Sequence, residues 1–140
     1  SFPTRRSSDL EAFRRLGEAV GDAMAQALTL MDGLAVIGGG ISGSWPLFLP
    51  ALIDELNSNY IAPDGRPFRR LVQVAFNLED TAQLKKFLKG ETREVVVPGT
   101  KRKLKYDPLA RIGVGTSRLG TSEAVAIGAC AFALGKLDRQ

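Results

Sequence analysis

The chain has 140 residues, enough for one compact domain. Hydrophobic residues at 44%, charged residues at 24% and fifteen glycines describe a globular protein with a core, not a disordered, collagenous or membrane chain. One cysteine excludes an internal disulfide. The absence of histidine excludes a Cys/His zinc site, a Ser-His-Asp triad and a histidine base. The longest apolar stretch, Gly33 to Ile41, is far short of the ~20 residues a bilayer span needs, so no membrane partner and a cytoplasmic location are expected.

Ser1 to Leu10, SFPTRRSSDL, lacks apolar periodicity and joins abruptly to a helical pattern beginning near Glu11. These ten residues match the read-through of a common sequencing adapter, so they are expected to be a non-native tail on a partial gene. The alternative is a genuine loose terminus. Setting aside Arg5, Arg6 and Asp9 lowers the net charge from +4 to about +3, which weakens any argument from basicity.

From Glu11 to Met31, Phe13, Leu16, Val20, Met24, Ala27, Leu28 and Met31 share one helical face, and Asp32-Gly33 is expected to end the helix with a left-handed glycine. Leu34 to Ile37 reads as a strand buried on both faces, stopped by Gly38, Gly39 and Gly40. Helix resumes from Trp45 to Leu56, with Ser44 as N-cap and Pro46 in the first turn. Asn57 to Arg69 reads as a surface connection, Leu71 to Phe76 as a strand, and Leu78 to Leu88 as a helix capped near Asp80 or Thr81 and closed by Gly90. Val95–Val97 and Leu104–Tyr106 flank Pro98-Gly99-Thr100 as a surface hairpin. Ile112–Val114 is a short core strand, followed by a polar turn and a small-sided helix from about Ser122 that should pack tightly against the sheet.

The sharpest chemical feature is the succession strand, Gly38-Gly39-Gly40, helix. Residues without Cβ let a flat or anionic ligand approach the main chain, and the next helix directs amide N–H groups toward it. The spacing GGGISGS is neither a dinucleotide fingerprint nor a P-loop, and a turn of this kind also serves geometry alone. Asp32, Asp54 and Glu55 read as solvated or helix-terminal acids, and Glu123 as a first-turn acid favoured by the helix dipole. Lys101, Arg102, Lys103 and Lys105 lack interleaved aromatics, so a solvated hairpin is expected and nucleic acid is not.

The segments LMDGLAVIGGGIS, WPLFLPALIDELN and RIGVGTSRLGTSEAVAIGACAFAL, in that order, resemble the C-terminal lobe of the ROK family (repressor, open reading frame, kinase), which includes bacterial glucokinases. The resemblance covers about Glu11 to Leu134, with a longer and more basic region at Glu91 to Tyr106. It implies an α/β fold, the truncated C-terminal lobe of an actin-like ATPase (ribonuclease H-like) fold over residues 11–140. It also implies an ATP- and Mg²⁺-dependent hexose kinase whose ATP lies between two lobes. Gly38, Gly39 and Gly40 would form the adenosine-binding turn, with Ser42 and Ser44 near ribose or phosphate. The family's aspartate base, DxGxT-type phosphate loop and Cys/His zinc motif have no counterpart in this chain, and Cys130 is expected to be a buried structural thiol. No catalytic or metal residue is therefore assigned, and the chain alone is expected to be inactive. Sugar, ATP, the absent N-terminal lobe and a second copy in a homodimer are the implied partners. The same family contains sugar-responsive repressors, so a binding lobe without catalysis is the alternative, and a basic nucleic-acid module is a third reading.

Overall fold

The structure, a computed structural model, describes residues 5–137. Three parallel strands form the central sheet: β1 (Ala35–Ile37), β4 (Val74–Asn77) and β7 (Arg111–Thr116), in the order β1-β7-β4. Register pairs Ile37 with Thr116 and Asn77 with Val114, so the carboxyl ends of all three strands lie at one edge. Helices α1 (Arg5–Leu30) and α2 (Trp45–Leu56) pack together, and α2 covers one sheet face. Between α2 and β4 lies a small hairpin, β2 (Asn59–Ile61) with β3 (Pro67–Arg69). Helix α3 (Thr81–Lys89), hairpin β5 (Arg93–Val96) with β6 (Lys103–Tyr106), and terminal helix α4 (Thr121–Leu137) complete the described chain.

The core is built on α2 and β7: Leu49, Leu52, Leu56, Ile112 and Val114 are fully buried, joined by Phe48, Ile53, Leu71, Ala75, Ala25 and Leu28. Each large aliphatic side chain removed from water contributes about 1.5–3 kcal/mol of burial free energy, so these two elements dominate cohesion. Helix α1 meets α2 through a face that hydrophobic periodicity misses. Gly17 and Gly21 are buried on that face together with Ala25. A Cβ on Gly17 would overlap the Phe48 carbonyl oxygen, and one on Gly21 would lie 2.8 Å from Glu55 Cβ. Phe13, Leu16, Val20 and Met24 pack at the edge of this contact, but Ala27 and Met31 are exposed.

Several expectations are corrected. Helix α1 extends back to Arg5 instead of starting near Glu11, because adding residues to an existing helix costs far less than nucleating one. Gly33 is not left-handed; the positive-φ glycines are Gly39, Gly65, Gly90 and Gly99. The first strand is not covered on both faces: it is a sheet edge, with Val36 68% and Leu34 63% exposed. The connection after Asn57 contains β2 and β3, stabilised by the Tyr60–Phe68 ring contact. The next strand begins at Val74, and its edge is satisfied by Asn57, whose side-chain amide both donates to and accepts from the Ala75 backbone at 2.9 Å. Helix α3 starts at Thr81, where the Asp80 side chain caps the Gln83 N–H at 2.8 Å, and Gly90 closes it at φ 57°.

Glu55 does not sit on a solvated face. Together with Asp22 and Ser58 it holds Arg70, whose side chain is 11% exposed and whose guanidinium lies 4.3 Å from the Tyr60 ring centre. Helix α4 does not pack against the sheet. Every residue of α4 is exposed, Cys130 included, although the helix is apolar on nearly all sides.

Candidate functional site

In open parallel sheets, ligands bind beyond the carboxyl ends of the strands, where loops diverge and backbone groups are free of the ladder. Three loops meet at that edge: Gly38–Ile41 after β1, Leu78–Asp80 after β4 and Ser117–Gly120 after β7. Gly38, Gly39 and Gly40 are exposed. An added Cβ would meet nothing within 4 Å at Gly39 or Gly40, and only the Ser117 Cβ at 3.7 Å at Gly38. Gly39 holds φ +96°, a conformation L side chains rarely adopt, so its glycine is required by the bend and not by crowding. The turn thus presents bare peptide to open space.

Ser42 and Ser44 sit in one turn of 3-10 helix, Ser42–Ser44, that runs directly into α2. The Ser42 hydroxyl and N–H both donate to the Gly39 carbonyl, at 2.7 and 3.1 Å, so this serine staples the glycine turn. Ser44 occupies the N-cap position, but its side chain caps no amide, because its backbone (φ −92°, ψ 16°) is not in the extended region a capping side chain needs. The structure therefore brings all five expected residues to one place, with Ser42 in a turn-holding contact.

A sixth group, Glu79, ties the loop after β4 to the end of β7. The Glu79 side chain is 6% exposed. Its Oε1 accepts from both the Thr116 N–H and the Thr116 hydroxyl at 2.8 Å, and its Oε2 pairs with Arg118 at 3.1 Å. The Thr116 N–H holds the Glu79 carboxyl below its ordinary range, aided by the hydroxyl and the Arg118 charge and opposed by burial. One residue further on, the Ser117 N–H donates to the Ile37 carbonyl at 2.8 Å, joining β7 to the residue before Gly38. Nothing in local spacing marks Glu79, because Thr116 lies 37 residues away.

Of the other candidates, Asp32, Asp54 and Glu123 are exposed, as are Lys101, Arg102, Lys103 and Lys105 on the hairpin. Among the described residues no cluster of three or more Cys, Asp or Glu side chains could hold a metal ion, and no helix is long and apolar enough to cross a membrane.

Fold and site together define a mixed α/β protein with a parallel sheet whose strand ends converge on an open glycine turn. No protein-family model and no curated protein matches the chain. A solved structure does: the chain is similar to the glucokinase from Parabacteroides distasonis ATCC 8503, at 44% identity over 95% of its own length, with a TM-score of 0.78. It spans 35% of the length of that glucokinase. The chain is thus similar to part of a glucokinase, the likeness that its ROK-like motifs imply.

Proposed function

We propose that this chain is the nucleotide-binding C-terminal part of an ATP-dependent, glucokinase-like hexose kinase, and that the intact protein transfers the γ-phosphoryl group of ATP to a sugar hydroxyl. The likeness to a glucokinase over nearly the whole chain carries this reading. The architecture is that of the C-terminal lobe of an actin-like ATPase. Gly38–Gly40 receives the adenosine against bare backbone, and Ser42 and Ser44 lie at the start of α2, within the same turn. Phosphoryl transfer is driven by positioning and charge stabilisation, and this lobe supplies positioning. Mg²⁺ supplies charge neutralisation as a companion of the triphosphate; the residues described include no ligand cluster for it, so none is assigned to hold it. The general base, the sugar site and the rest of the cleft belong to the lobe that this chain lacks. The comparison is with a kinase, and no observation supports the repressor alternative.

The test is expression of the complete gene and assay with ATP against a panel of hexoses. A phosphorylated hexose is the expected product, and no product from any sugar would remove the kinase reading. The 140-residue chain by itself should bind ATP and turn nothing over.

A further inference from the structure

Among the described residues Glu79 is the one buried carboxylate at the strand-end edge, and the kinase reading gives it no task. A carboxylate in this position is costly: it must be withdrawn from water and compensated by donors. Its one charged partner, Arg118, is 80% exposed, and such pairs contribute little net stability, so cohesion alone is a poor account of it. Its geometry offers a better one. Both oxygens are engaged, and every partner lies at the end of β7 or in the loop that leaves it: the Thr116 N–H, the Thr116 hydroxyl and the Arg118 guanidinium. That loop borders the glycine turn, through the Ser117 N–H bond to Ile37 and through the closeness of Ser117 to Gly38.

We propose that Glu79 is the positioning residue of this site, a buried carboxylate that acts through Thr116 and Ser117 to hold the Gly38–Gly40 turn in its nucleotide-ready form. Glu79 sits too deep to touch a ligand at the turn. It fixes where β7 ends, and the end of β7 fixes where β1 releases the chain into the glycines. Arg118, 80% exposed and tethered by Glu79 on one nitrogen, is held at the same edge with its remaining donors facing solvent. The role rests on the nucleotide assignment proposed above.

The test uses the intact protein expressed from the complete gene and ATP, titrated calorimetrically well below the melting temperature. Glu79→Gln turns one acceptor into a donor facing Arg118 and should weaken ATP binding by about tenfold, the equivalent of ~1.4 kcal/mol. Glu79→Asp, which keeps the charge, should restore most of the loss. Ile112→Val, a core substitution remote from the loop contacts, should lower the melting temperature and leave ATP affinity unchanged. Thr116→Val removes only the hydroxyl contact and should give a smaller loss in the same direction, so the question stays answerable if the glutamine variant folds poorly. Hydrogen exchange at the Ser117 and Ser42 amides, which donate to Ile37 and Gly39, should accelerate in Glu79→Gln and not in Ile112→Val. Equal ATP affinity in wild type, Glu79→Gln and Thr116→Val overturns the positioning role and leaves the kinase reading standing. Absence of ATP binding by the wild-type protein strikes the nucleotide assignment, and the positioning role falls with it.

Discussion

Glycines in this chain answer to different constraints, and some to none, which a single added methyl group separates. At Gly39 the constraint is conformational: φ is +96° and the space around it is empty. At Gly40 the space is equally empty and φ is not in the left-handed region. Gly39→Ala should therefore cost about 1–2 kcal/mol of strain. Gly40→Ala should be neutral or slightly stabilising, because alanine narrows the unfolded ensemble. Paired denaturant titrations check this, and equal effects at the two positions would show that the turn relaxes. Gly113, in β7, differs again: a Cβ there would lie 2.6 Å from the Leu78 side chain and 2.9 Å from Leu34, so it is glycine because two leucines cross its face.

Among elements, the contact between α1 and α2 shows how propensity and packing can oppose each other. Glycine inside a helix is about 1 kcal/mol worse than alanine when exposed. On α4, where a Cβ at Gly128 would meet nothing within 4 Å, Gly128→Ala should stabilise the helix by up to about that amount. On α1, Gly17→Ala should destabilise the chain by roughly 1–3 kcal/mol, because its methyl group would press on the α2 backbone, which has no rotamer with which to yield. Thermal melts of the two variants should move in opposite directions. The Arg70 clamp works at the same junction, gathering Asp22 from α1 and Glu55 from α2 onto one guanidinium stacked over Tyr60. It ties the small hairpin to the helix pair.

For the whole molecule, the uneven distribution of cover matters most. One face of the sheet is packed by α2, while Leu34 and Val36 stay open to water and α4 exposes Val125, Ile127, Phe132, Leu134 and Leu137. Exposed apolar area on this scale normally marks a surface meant for another partner. The isolated chain is expected to self-associate at micromolar concentrations, and sedimentation velocity checks it. Phe132→Glu together with Ile127→Glu should shift the chain toward monomer without altering the core melt. A monodisperse, cooperatively melting wild-type chain would contradict the expectation.

Local pattern was enough to read the alternation of helix and strand, the hairpin around Pro98-Gly99, the Asp80 cap and the Gly90 stop, because each rests on interactions within a few residues. The motifs LAVIGGGIS and RIGVGTSRLG also carried the kinase likeness. Only the tertiary structure decided which faces are covered: that the first strand is an edge, that Cys130 and the last helix face water, that Glu55 belongs to an arginine clamp, and that Gly17 and Gly21 are a contact surface. It alone joined Glu79 to Thr116, since a carboxylate accepting from an amide 37 residues away leaves no periodicity in the chain. Short-range preferences are written along the sequence, whereas burial and long-range hydrogen bonding exist only once distant segments have met.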